Sequence, residues 1–213
     1  MRKISFHLYF SALIIAMVIF VAGLYLGFTI SETARSALAE EMQDIEFTFY
    51  SSELLFLLEP SVEFCPVYGE QLGLLDRKTA QIGAKLEYLE NVKKEFDFDL
   101  KRKYFVLEAE TYLLAEKFRE ICDYNYSLIL YFYTRDCEGC IEQGHILDEV
   151  KRKFGESVRI YSFDLSIGSS VAEALARKYA VRKTPAVIVD GKLLEGLSSR
   201  EEIEKNLIFH NFP

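Results

Sequence analysis

The rhythm of apolar positions changes three times along the chain. From Leu8 to Ile30 it is an apolar run without a charge, which at about 1.5 Å per residue makes roughly 34 Å of helix, enough to cross a hydrocarbon core of about 30 Å. From Ser31 to Glu59, Leu38, Met42, Ile45, Phe49 and Phe56 recur at helical spacing. This stretch is predicted to extend the first helix and pack against the helical segments downstream of it. Pro60 and Asp97-Phe98-Asp99 are breaks. Between them Tyr68, Leu72, Leu75, Thr79, Ile82, Leu86, Leu89 and Phe96 alternate steps of four and three, interrupted at Lys93. Leu100, Tyr104, Leu107, Thr111, Leu114, Phe118 and Ile121 continue the rhythm. Such a seam wants a facing helix, and the short break at Asp97 makes the two segments an antiparallel hairpin.

At Ser127 the helical period ends. Leu128-Ile129-Leu130-Tyr131-Phe132-Tyr133 is a continuous apolar run of strand length. A helix over 141–154, a strand Val158 to Phe163, a helix Ser170 to Tyr179 and a strand Ala186 to Val189 come next. Asp190-Gly191 signals a two-residue hairpin into Lys192-Leu193-Leu194, and a last helix covers Arg200 to Leu207. This order predicts an α/β domain, a central mixed sheet flanked by helices. The chain thus divides into an N-terminal anchor over 1–30, a helical region over 31–125 and the α/β domain over 126–213.

The first segment is read as a transmembrane anchor, with a cleaved signal peptide as the rival reading because Ala37-Leu38-Ala39 has small residues at suitable spacing. The apolar run exceeds the roughly 7–15 residues of a signal core, and Glu32 and Arg35 separate it from that site. Arg2 and Lys3 precede the span, while only Arg35 closely follows it, so the N-terminus is expected in the cytoplasm and the remainder outside a single-pass cell membrane anchor. Gly23 and Gly27 form a G-x-x-x-G pair through which two anchors could meet as a homodimer.

A net charge of −8 leaves no basic excess for phosphates, which argues against a nucleic-acid partner. A hydrophobic content of 50% in 213 residues suits a folded protein with one or two cores. The four cysteines all fall beyond the anchor, where disulfides persist. Cys65 precedes Pro66 at the start of the first hairpin arm and Cys122 ends the second. An antiparallel hairpin brings those ends together, so the pair is read as a structural disulfide. Two separate thiols, or a second redox pair feeding Cys137, are the other readings.

The chemistry centres on Cys137-Glu138-Gly139-Cys140, a C-x-x-C where a strand gives way to a helix. Backbone amides at the helix start favour a thiolate on the first sulfur, and the second lies one turn on, so one can attack and the other resolve. Zinc normally needs four ligands, and no second C-x-x-C or paired histidine is present downstream; His145 is read as a surface or packing residue. No metal or other cofactor is expected beyond the dithiol.

From Ser127 to Leu207 the sequence resembles the thioredoxin superfamily. The likeness rests on the strand with Cys137-Glu138-Gly139-Cys140, the segment Tyr179-Ala180-Val181-Arg182-Lys183-Thr184-Pro185 and the Asp190-Gly191-Lys192 turn. The resemblance implies that Pro185 is cis beside the dithiol and that the backbone of Thr184 pairs with substrate. Two positions depart from the pattern. Where the family usually has a tryptophan before the motif stands Asp136, and where it has a buried aspartate stands Tyr131. The usual internal proton acceptor is therefore missing, and Asp164 is read as a capping or surface group.

Glu138 and Gly139 are the redox-tuning positions. A carboxylate beside Cys137 disfavours its thiolate and Arg135 partly offsets that, which suits a reductase or isomerase better than a strong oxidant. The function expected is a membrane-anchored extracytoplasmic thiol-disulfide oxidoreductase, with protein thiols and disulfides as substrates and a membrane redox protein as partner. A peptide-binding scaffold with an inert disulfide and a metal-delivery protein are the alternatives.

Overall fold

A computed structural model describes residues 6–58 and 61–208. Arg2, Lys3 and Pro60 lie outside the described residues, as do the side chains of Glu32 and Arg35. The chain divides into two units, Met1–Glu41 and Met42–Pro213. Helix α1, Phe6–Leu58, begins in the first and ends in the second. Within the first unit Tyr9–Gly27 is long and apolar enough to cross a membrane, with a mean hydropathy of 2.4 and exposed side chains.

The second unit contains the end of α1, the hairpin and the α/β elements. Met42, Ile45 and Phe49 are buried, and Phe56 lies against Tyr68 and Phe118. Helices α2, Cys65–Asn91, and α3, Phe98–Cys122, form the antiparallel pair. Leu72, Leu75, Thr79, Ile82 and Leu86 from one and Leu100, Leu107, Thr111, Leu114 and Phe118 from the other are buried. The two arms are nearly equal, 27 and 25 residues: α2 stops at Asn91, and the amides of Val92 and Lys93 both donate to the Tyr88 carbonyl. Asp97 then starts α3 by accepting from the amides of Asp99 and Leu100, each at 3.1 Å, as N-cap residues do.

Strand β1, Ser127–Tyr133, is central. It runs parallel to β2, Val158–Asp164, and antiparallel to β3, Ala186–Val189, which pairs with β4, Lys192–Glu195; the order is β2-β1-β3-β4. Asp190 and Gly191 take positive φ in the β3–β4 turn, as a two-residue hairpin loop requires. Alternation along β1 sorts its side chains between two layers. Ile129 and Tyr131 join Leu147 and Val150 of α4, Cys140–Phe154, and Ile203 of α6, Arg200–Lys205. Phe132 stacks on Phe163, which meets Phe105 of α3 on the opposite face. There α3 also meets the end of α5, Ser170–Lys178, through hydrogen-bonded Tyr112 and Tyr179 hydroxyls. The helical hairpin is therefore one layer of the sheet domain, and it reaches the loop that carries the dithiol.

Candidate active site

Between the end of β1 and the start of α4 the chain makes a tight turn, 134–139. Gly139 sits at φ 84°, where a Cβ is disfavoured, and lets the backbone enter α4. Cys140 is the first residue of the helix and is 7% exposed; Cys137 precedes the helix in the turn and is partly exposed. The sulfurs are bonded, with 5.5 Å between the Cα atoms. One is thus open to a partner and the other shielded by the fold.

The Thr184–Pro185 peptide is cis, and the Thr184 hydroxyl meets that of Thr134, three residues before Cys137, at 3.0 Å. The Pro185 carbonyl accepts from the Gly196 amide at 2.8 Å. Gln143, fully buried on α4, donates to the Ser198 carbonyl and accepts from its amide, which fixes the 196–199 loop against the helix. Leu197 on that loop and Ile141 beside Cys140 are exposed apolar side chains at the dithiol.

Arg135 is held from two sides. Its Nε lies 3.6 Å from Asp164 Oδ2, and its guanidinium lies over Phe96 at 3.6 Å and Phe98 at 5.1 Å from the ring centroids. Asp164 is almost fully buried and accepts from the Ser166 amide at 2.8 Å, so it caps the turn after β2. Glu138 is exposed beside Cys137, and His145 is exposed on α4. Among the described residues no group of three or more histidine, cysteine or acidic side chains is placed to hold a metal.

A cavity of about 550 Å³ opens beside the dithiol, lined by Cys137, Cys140, Arg135, Tyr104, Tyr131 and Ser162 among others. Tyr131 donates to the Cys140 carbonyl at 2.6 Å, and burial pushes its hydroxyl up to about 12, so it remains a donor at neutral pH. A second cavity, of about 620 Å³, shares Tyr104, Tyr131, Tyr133 and Ser162 with the first and adds Glu108. Glu108 accepts from the Tyr104 hydroxyl and, at 3.1 Å, from the Ser162 amide on edge strand β2. Burial pushes its carboxyl up to about 7, against the lowering effect of those two donors. Tyr104, placed in the hairpin seam from its spacing, in fact turns its hydroxyl toward this site. Glu108 carried no sequence signal, because its partner Ser162 is 54 residues away.

Cys65 and Cys122 are bonded at the other end of the hairpin from the 92–97 turn, with Cα atoms 5.6 Å apart. That places them away from the turn that holds Arg135.

No family model matches the chain. Two curated relatives are similar over 65 residues: Thioredoxin 2 of Plasmodium falciparum, 29% identical, and Thioredoxin 2 of Plasmodium berghei, 32% identical. Each match covers 30% of this chain and 39% of the relative, so the chain spans about two fifths of the length of the curated relatives it matches. Among solved structures, a malarial protein is 25% identical over 39% of this chain and 100% of its own, with a TM-score of 0.34. A structure of thioredoxin-2, described as a component of the malaria parasite protein secretion machinery, is 25% identical over 38% of this chain and 81% of its own, with a TM-score of 0.32. The mixed sheet, the cysteine pair at the head of α4 and the partial similarity to the two curated thioredoxins make the α/β part of this chain thioredoxin-like.

Proposed function

We propose that the chain is a membrane-anchored thiol-disulfide oxidoreductase whose α/β domain works outside the membrane on protein thiols and disulfides. The difference in exposure between the two sulfurs carries this reading. In a reductive turn the partly exposed Cys137 thiolate attacks a client disulfide, forming a mixed disulfide and releasing one client thiolate. Cys140 then attacks Cys137, closing the 137–140 bond and releasing the second client sulfur with its electron pair. Leu197 and Ile141 offer an apolar rim to an unfolded client, and Thr184 offers backbone hydrogen bonds beside the cis proline.

The surroundings favour a reductase or isomerase over a strong oxidant. Glu138 and Asp136 flank Cys137 with negative charge, and the cation of Arg135 is shared with Asp164. A thiolate so placed gains little of the stabilisation that makes a dithiol strongly oxidising. The apolar segment Tyr9–Gly27 supports an anchor, and the G-x-x-x-G spacing of Gly23 and Gly27 suits a close contact between two anchors. A neighbouring membrane redox protein would recharge the dithiol.

The test is to purify the full-length protein in detergent and follow reduction of a test protein disulfide, with Cys137→Ser as the control. Reduction by the parent and not by the variant supports the reading; equal rates for both would remove it. Thiol labelling in intact cells should reach Cys137 without permeabilisation, and labelling only after permeabilisation would reverse the orientation.

A further inference from the structure

Beyond Glu41, helix α1 carries two apolar stripes, and the fold covers one of them. Met42, Ile45, Phe49 and Ser52 are buried. Phe47, Tyr50, Leu54 and Leu57 recur at steps of three, four and three, and each is between 58% and 74% exposed. Those steps are the a and d positions of a coiled-coil seam, which is stabilised by a facing helix. An exposed row of four large apolar side chains marks an interaction surface, not a face built for water.

The border of this stripe is acidic. With Phe47 and Leu54 at a, Glu46 and Glu53 take the two g positions beside the seam. Glu110 on α3 stands next to them: burial first, then the charges of Glu46 and Glu53, push its carboxyl up to about 7. Among the described residues none of these three carboxylates has a cation bound to it. Asp44, by contrast, is bound to Lys78 at 2.8 Å, and Lys117 of α3 lies over the Phe56 ring at 5.1 Å from its centroid. Val106 and Leu113, one turn to either side of Glu110, are exposed and extend the apolar surface onto α3.

We infer that this face of α1 docks an amphipathic helix of another protein, one with apolar residues at a and d and with Lys or Arg along the edge that meets Glu46, Glu53 and Glu110. Charge selects the occupant. A second copy of the chain offers these carboxylates no cation: parallel pairing sets Glu46 opposite Ser51, and antiparallel pairing sets Glu46 opposite Glu53. Helices that lie on a bilayer carry Lys and Arg beside their apolar face, whereas this one carries carboxylates. A helix with a basic edge covers the seam and neutralises its border at once, and such flanking charges are what set partner choice in paired helices. None of these residues lines the cavities at the dithiol, so the inference does not depend on the thiol-disulfide reading.

The experiment uses the full-length protein in nanodiscs of zwitterionic lipid and a labelled synthetic helix of about three heptads, with Leu at a and d and Lys at e and g, followed by fluorescence anisotropy. The parent should bind this helix, and an otherwise identical one with Glu at e and g should bind roughly tenfold more weakly or worse. Tyr50→Ser combined with Leu54→Ser should lower the affinity for the Lys helix by roughly tenfold or more, as loss of two seam anchors does. Glu46→Gln combined with Glu53→Gln should lower it by roughly fivefold, about what two exposed ion pairs supply, and should flatten its salt dependence. Glu201→Gln combined with Glu202→Gln on α6 removes the same charge from another element and should leave the affinity unchanged. Equal losses in the two charge variants would mean that the helix follows net charge alone, and would overturn the inference. So would no binding by the parent, or equal binding to empty nanodiscs. A parent that pairs with itself and is made monomeric by the Tyr50 and Leu54 changes would also overturn it, since a second copy would then fill the face.

Discussion

The guanidinium of Arg135 lies 3.6 Å from the centroid of the Phe96 ring, so the turn between α2 and α3 is fastened to the loop that carries the dithiol. A guanidinium over an aromatic face is stabilised by roughly 0.5–2 kcal/mol, the more so when partly desolvated. Arg135 also lines the cavity with Cys137 and is the nearest cation to it in sequence. Arg135→Ala is expected to raise the Cys137 thiol pKa, read as a shift of the alkylation profile to higher pH. Phe96→Ala should move it the same way by less, because the cation remains but is no longer held. An unchanged profile in Arg135→Ala would show that Arg135 only braces the loop.

Cys140→Ser should accumulate mixed disulfides with client proteins, whereas Cys137→Ser should accumulate few. The reason is the shielding of Cys140 against the partial exposure of Cys137. Non-reducing gels of cells carrying each variant check this, and similar trapping by both would reassign the attacking sulfur.

The Cys65–Cys122 bond closes a sequence separation of 57 residues. In the chain-entropy description such a loop contributes roughly 4 kcal/mol, large against a total stability of about 5–15 kcal/mol. Replacing both cysteines by serine should lower the denaturant midpoint strongly. The potential of the Cys137–Cys140 pair should stay where it is, since the two bonds lie at different ends of the hairpin. A potential that moved with the removal would instead indicate exchange between the pairs.

Glu108 also ties stability to pH. Its folded pKa, about 7, is above the ordinary carboxyl value, so between about pH 4.5 and 7 the folded protein holds a proton that the unfolded chain has released. Stability is then fully present below this window and falls as pH rises through it, by roughly 3 kcal/mol at about 1.4 kcal/mol per pKa unit. Glu110, pushed the same way by burial and by Glu46 and Glu53, adds to the fall. The thermal midpoint should drop between pH 5 and pH 8, and Glu108→Gln should reduce the drop. An equal drop in the variant would assign it to other groups.

Local pattern determined the elements. The switch at Ser127 from a helical period to a continuous apolar run marks β1, because a strand buried on both faces needs apolar side chains at every position. The same reasoning placed α2 and α3, since a seam at steps of four and three keeps one side of a helix toward a partner. Asp190-Gly191 marked the β3–β4 turn because few residue pairs tolerate two positive φ angles. The dithiol was equally plain, as its spacing and its place after a strand are properties of neighbouring residues.

Tertiary structure alone decided what surrounds that dithiol. Phe96 and Arg135 meet only because α3 lies across the sheet, and Glu108 meets the Ser162 amide only because that edge of β2 faces the hairpin. Asp164 shows the same limit: its position at the end of a strand suggested a cap, but its burial and its pairing with Arg135 arise from packing. A carboxyl's proton affinity depends on the water it has lost and the charges it faces, and both are set by chain segments remote from it. Spacing along the chain specifies which residues share a face; which distant groups stand opposite them is decided when the layers close.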